Sequence, residues 1–148
     1  MRFSVQSGRL GGMTANTGDL LMSTARALRR RFGAALAEWE ITPAQSRALR
    51  IVCDQRSARL SVLAEHLHIA PRSATEVVDA LEGHGLVSRQ ADPADRRATC
   101  VVPTEEGMRL RRLIDGARQR ETERFLAVLS ADDRRELERI LGLLGEES

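Results

Sequence analysis

The sequence predicts a mainly α protein with a small β-hairpin, and three observations carry that prediction. Apolar residues recur every three or four positions through most of the 148-residue chain, the period of helices that bury one face. Aromatic residues make up only 3% of it, with no tyrosine, so the core must be assembled from Leu, Val, Ile and Ala, which suits helices packed on helices. One segment breaks the pattern. Asp92-Pro93-Ala94-Asp95-Arg96-Arg97 favours a turn, and it lies between Leu86-Val87-Ser88-Arg89 and Thr99-Cys100-Val101-Val102, whose β-branched residues favour extended chain.

The elements follow in order. Leu21, Ala25, Leu28, Phe32, Leu36 and Trp39 step by three or four and predict a first helix from about Thr17 to Trp39. Thr42 is an N-cap candidate and Pro43 a first helical residue for a second helix reaching about Asp54. A polar loop over 54–59 follows. Ser61 is the expected N-cap of a third helix, which Pro71 forces to stop near Ile69. A fourth helix is expected from about Arg72 to Gly85, an αL cap. After the hairpin, Thr104 caps a long helix to about Leu129, with Glu105 and Glu106 in its first turn. Ser130, with Asp133 three residues on, caps a last helix striped by Leu137, Ile140, Leu141 and Leu144. The third and fourth helices read as a helix-turn-helix.

This order divides the chain into a flexible N-terminal arm (1–16), a central unit (41–103) and flanking helices (17–40 and 104–148). The central unit can bury its own core. The flanking helices carry long apolar stripes that need each other and a second copy of the chain.

Composition excludes several classes. All 23 basic residues are Arg and the net charge is only +2, so the chain is no general polycation. The charge is uneven: residues 1–59 hold ten Arg against four acids, residues 60–148 thirteen against seventeen. Two cysteines, Cys53 and Cys100, make no disulfide framework. No apolar run is long enough for a membrane span, and the N-terminus lacks a signal-peptide core, so a cytoplasmic location is expected. Met13 is an alternative start. His66 and His68, two apart on a helix, do not share a face, and with His84 they complete no metal-ligand pattern. There is no P-loop, no Gly-rich dinucleotide turn and no spacing that supports a catalytic triad. No metal, cofactor or enzyme activity is expected.

The residues point instead to double-stranded DNA. In a helix-turn-helix the second helix enters the major groove with its N-terminal residues facing base edges. Here these are Pro71, Arg72, Ser73, Thr75 and Glu76. Arg72 suits guanine or a phosphate, Ser73 and Thr75 suit phosphates or bases, and Glu76 accepts from cytosine or repels phosphate and restricts register. Arg97 at the hairpin tip suits the minor groove, with Arg96 beside it. Ser61 and Arg89 complete the candidate DNA-binding set. Asp95, which phosphate would repel, is expected to brace Arg89 or Arg97. Phe32 and Trp39 are candidates to line a ligand cleft, with Arg50 pairing a ligand carboxylate.

These residues resemble a known family. Leu60-Ser61-Val62-Leu63-Ala64, Gly85-Leu86-Val87-Ser88-Arg89, Asp92-Pro93-Ala94-Asp95-Arg96-Arg97 and Thr104-Glu105-Glu106-Gly107 look like the MarR (multiple antibiotic resistance regulator) family over roughly residues 17–144. The resemblance implies a winged helix-turn-helix domain on a helical dimerisation domain. It also implies an obligate homodimer on a palindromic operator, a transcriptional regulator often released by a small phenolic ligand or by thiol oxidation. By position, Arg97 matches the wing-tip arginine and Asp95 its bracing acid. Two departures stand out. Glu76 lies where the recognition helix often carries a basic or small residue, and the first helix lacks the cysteine of the peroxide sensors. Two other readings stay open: a winged helix that binds protein rather than DNA, and a redox sensor working through Cys100.

Overall fold

The computed structural model describes residues 16–146. The expected N-terminal arm, apart from Asn16, lies outside the described residues, as do Met13 and the last two residues. The chain forms α1 (Thr17–Ala35), a 3-10 turn (Leu36–Trp39), α2 (Pro43–Gln55), β1 (Ala58–Arg59), α3 (Leu60–Leu67), α4 (Pro71–Gly83), β2 (Val87–Ala91), β3 (Thr99–Pro103), α5 (Glu105–Leu126) and α6 (Ala131–Glu146).

Local chemistry sets most boundaries. The Asn16 side chain accepts from the Asp19 N–H while the Asp19 carboxylate accepts from the Asn16 N–H, so two otherwise orphan donors are satisfied at the start of α1. Thr42 and Gln45 form the same reciprocal box ahead of α2, with Pro43 in its first turn. Gly85, at φ 72°, closes α4: its N–H donates to the Glu82 carbonyl and the Leu86 N–H to the Leu81 carbonyl. Thr104 Oγ1 accepts from the Gly107 N–H at 3.0 Å and donates to the Gly85 carbonyl at 2.7 Å, so one hydroxyl caps α5 and ties it to the end of α4. Ser130 caps α6 through the Asp133 N–H, as expected.

Four expectations are corrected. Residues 54–59 are not all loop, because Ala58 pairs with Val101 and Arg59 with Cys100 as a third, two-residue strand. That pairing holds Arg59 extended (φ −73°, ψ 151°), so Arg59 takes the N-cap position of α3 and Ser61 falls inside its first turn. The first α-helix ends at Ala35, where the chain tightens into a 3-10 turn that Glu40 stops in a left-handed conformation. In α3, left-handed His68 (φ 53°) ends the helix at Leu67, before Pro71 acts.

The three strands run β1-β3-β2, all antiparallel, with Ser88 opposite Val102 and Gln90 opposite Cys100. Leu49, Val52, Leu63, Val78, Leu81, Val87 and Val101 are fully buried where α2, α3 and α4 meet this sheet. Leu110 and Ile114 of α5 join the same core. α1 lies against α5, where Arg31 stacks over Phe125 and pairs with Glu121. Arg134 forks onto Glu123 at 2.6 and 2.7 Å and so fixes α6 against α5. Neither α1 nor α6 has a buried residue; Leu20, Leu21, Met22, Ile140, Leu141, Leu143 and Leu144 are about half exposed.

Candidate nucleic-acid interface and ligand cleft

α3 and α4 meet through a turn of three residues, and α4 presents its first turn outward. Ala74, Val78 and Leu81 face the core, which leaves Arg72, Thr75 and Glu76 on the open side. Arg72 is 92% exposed. Its Nε lies 3.7 Å from Glu76 Oε1, one turn on, so Glu76 is partly neutralised by a neighbour. The Thr75 hydroxyl donates back to the Pro71 carbonyl at 3.1 Å, and Ser73 is half-buried. Ser61 is exposed and lines a shallow groove with Ala64, Glu65, His68, Ile69 and Pro71.

The hairpin tip is built by its own polar atoms. The Asp92 N–H donates to the Ala98 carbonyl at 3.0 Å, and the Ala98 N–H to the Asp95 carbonyl at 3.0 Å. Asp92 Oδ1 accepts from the Ala94 N–H at 2.8 Å, a short Asx turn that fixes Pro93 and Ala94. Arg96 and Arg97 are exposed, and no side-chain bond or ion pair holds either guanidinium among the described residues.

Asp95 braces the wing through a backbone group, and two further acids hold the strand arginine. Asp95 Oδ1 accepts the backbone N–H of Arg97 at 3.0 Å and so braces the turn, not a guanidinium. Of the two arginines that Asp95 was expected to brace, the other, Arg89, is taken by two acids of α4. Its Nη2 lies 2.5 Å from Asp79 Oδ1 and its Nη1 2.7 Å from Glu82 Oε1, while the Arg89 N–H donates to Glu82 Oε2 at 3.0 Å. Hydrogen bonding to Asp79, more than burial opposes it, holds the Arg89 guanidinium even more firmly protonated than usual. Arg59 performs the matching task on Asp92. None of Asp79, Glu82, Asp92 and Arg59 was foreseen in these roles; the signal for the first pair was their three-residue spacing on one face of α4, opposite a strand arginine.

A separate cleft of about 650 Å³ opens between α1, α2 and α5. Phe32 and Arg50 line it. Trp39 does not: it packs half-buried against the core, because the 3-10 turn rotates it out of the α1 stripe. Arg118, unforeseen, lies with its guanidinium 4.3 Å from the Phe32 ring centroid and lines the cleft too. Cys100 is buried, with Sγ 3.9 Å from the Ala91 carbonyl, and Cys53 is half-buried, where burial pushes its thiol pKa up. Both placements favour packing over ready oxidation. Among the described residues no helix is long and apolar enough to cross a membrane.

A helix-turn-helix with an antiparallel basic hairpin beside its second helix defines a winged helix-turn-helix protein. Comparisons with known proteins sharpen this class. The MarR family model matches residues 41–99. A Thauera aromatica protein assigned to transcriptional regulation of the hcr operon is 30% identical over 135 residues, 90% of this chain and 80% of that protein. The HTH-type transcriptional repressor Rv2887 of Mycobacterium tuberculosis is 29% identical over 133 residues, 90% of this chain and 96% of the relative. The chain belongs to the MarR family. Among solved structures, a single-site mutant of MarR from E. coli superposes with a TM-score of 0.83 at 22% identity, covering 90% of this chain and 98% of that one, a likeness of fold. The Rv2887 complex with p-aminosalicylic acid matches with a TM-score of 0.73 at 28% identity, covering 88% and 99%.

Proposed function

We propose that the chain is a homodimeric, sequence-specific transcriptional repressor that grips a palindromic operator with two copies of α4 and two wings. The observation that carries this reading is the pair Arg96 and Arg97, projecting at the hairpin tip without a partner in the described chain, beside an α4 whose first turn is open to solvent. A guanidinium without an internal acid is available to phosphate or to the narrow minor groove. Arg72, Thr75 and Glu76 would face base edges, and Ser61 and Ser73 the phosphates. Arg89 serves as a strut between wing and α4 rather than a direct contact. In this reading residues 41–103 bind DNA, and residues 17–40 with 104–148 form the dimer.

The two half-sites would lie about one duplex turn, roughly 10 bp, apart. Rv2887, a repressor of the same family, supports the sign of regulation, and its complex with p-aminosalicylic acid supports a small aromatic effector in the α1–α2–α5 cleft. Such an effector shifts the dimer only through unequal affinity for the DNA-bound and free shapes.

The test is selection of bound duplexes from a random pool with the purified chain, followed by salt titration of the winner. The expected winner is an inverted repeat, with affinity falling steeply with salt. Replacing Arg97 by Ala should lower affinity about tenfold or more and shallow the salt slope by about two units, one for each wing of the dimer, with unchanged melting. Retention of no duplex at low salt would rule the reading out in favour of a protein-binding winged helix.

A further inference from the structure

The cleft between α1, α2 and α5 carries an excess of positive charge that a one-charge ligand leaves unanswered. Its lining includes Arg29, Arg47, Arg50 and Arg118 and no Asp or Glu. Asp115, which shares an adjoining hollow with Arg47, Arg50 and Arg118, is already committed. Asp54 and Asp115 both hold Arg111, at 2.9 and 2.6 Å, and none of the four cleft arginines makes a salt bridge among the described residues. Arg118 lies over the Phe32 ring and no carboxylate pairs with it among the described residues, so its N–H groups are available to an anion. Burial first, and then the neighbouring charge of Arg50, pull the Arg118 pKa down; Asp115 offsets only part of this, so the protonated guanidinium sits in a net positive field. The apolar part of the lining (Leu28, Phe32, Leu36, Pro43) suits a ring. At about 650 Å³ the space is within the range of small-molecule sites.

We propose that this cleft takes an aromatic ligand bearing at least two negative charges, its ring against Phe32 and its anionic groups shared among Arg47, Arg50 and Arg118. The proposal rests on the effector reading above and narrows its chemistry. A single carboxylate satisfies one or two guanidiniums in this set; a second anionic group answers the remainder.

Calorimetric titration of the full chain with three one-ring probes tests it: neutral benzyl alcohol, benzoate with one charge and isophthalate with two. Isophthalate should bind about tenfold or more tightly than benzoate at low salt, since each added charge-assisted bond in a half-buried site is worth at least that factor. The margin should narrow as salt rises. Arg50→Gln and Arg118→Gln should each shrink the margin, and Arg50→Lys should restore part of it. Melting curves identify a variant that fails to fold, and Arg47→Gln, at an exposed position, then supplies the reading. Equal affinity for benzoate and isophthalate overturns the two-charge inference while leaving an aromatic effector in place. Isophthalate affinity untouched by all three substitutions overturns it too, by placing the anion elsewhere. If none of the probes binds, both this inference and the effector reading fall.

Discussion

Arg59 grips Asp92 at the root of the wing, with Nε 2.7 Å and Nη2 2.6 Å from the same carboxylate oxygen. The other oxygen accepts the Ala94 N–H. The Ala94 N–H first, and the Arg59 guanidinium second, hold the Asp92 carboxyl below its ordinary pKa. A carboxyl depressed in the folded state stabilises it fully above the unfolded value, about 3.9, and loses that effect as pH falls through the folded value. The wing turn should therefore keep its protected Ala94 amide from neutral pH down to about pH 4 and lose it below. Asp92→Asn should show the loosened state already at neutral pH. Amide exchange at Ala94 and Ala98 measures both; a turn as protected in the variant as in the parent would remove Asp92 from this role.

Arg89 links the wing to the recognition helix through Asp79 and Glu82. The acids are substantially exposed, so solvent screening keeps the stability contribution of the network to about 1 kcal/mol. The effect on DNA should be larger than on folding, because the strut sets the angle between α4 and the hairpin. Arg89→Ala and Glu82→Gln should each weaken operator binding, and the double variant should be little worse than either. If Arg89 instead touched phosphate directly, Glu82→Gln would leave binding intact or improve it.

Much of this was legible in the sequence, and the exceptions share a physical cause. Thr42, Gly85, Thr104 and Ser130 act within a few residues of where they stand, and each marked its boundary correctly. β1 escaped notice because two residues carry no periodicity; Ala58 and Arg59 are extended only because β3 lies beside them. Ser61 was misplaced as a cap for the same reason. The identities of the wing arginines were readable, yet their partners were not. Arg89 to Asp79 spans ten positions and Arg59 to Asp92 thirty-three, separations that only the folded chain closes. Phe32 and Arg50 lie near each other in sequence on adjacent helices, whereas Arg118 reaches the same cleft from a helix distant in sequence.

Gly107 packs against the backbone of the preceding wing. A Cβ at this position would fall 2.0 Å from the Leu86 carbonyl oxygen and 3.3 Å from Leu49 Cδ1. Alanine in a helix interior normally gains up to about 1 kcal/mol over glycine. Here the clash is with backbone, which cannot swing away, so Gly107→Ala should destabilise by about 2 kcal/mol or more. Urea denaturation reads this directly. Stability equal to or above the parent would mean that α5 can slide off the end of β2 at little cost, and that the Thr104–Gly85 bond does not fix their spacing.

The exposed stripes of α1 and α6 bear on assembly. Leu20, Leu21 and Met22 stand 47–56% exposed on one helix, and Ile140, Leu141, Leu143 and Leu144 stand 43–54% exposed on the other. An isolated exposed leucine is ordinary, but seven large apolar side chains on the two terminal helices form surface that monomers rarely leave in water. Fully burying such a side chain is worth about 1.5–3 kcal/mol, so covering even part of both stripes in a twofold interface supports a stable dimer. Leu21→Glu combined with Ile140→Glu should shift the chain to monomer at micromolar concentration in sedimentation velocity, with its helical content retained. Operator affinity should fall together with dimerisation, because a monomer loses the second half-site and its wing. A double variant that stays dimeric would move the interface off these helices, and one that becomes monomeric yet binds the full inverted repeat as before would separate operator recognition from assembly.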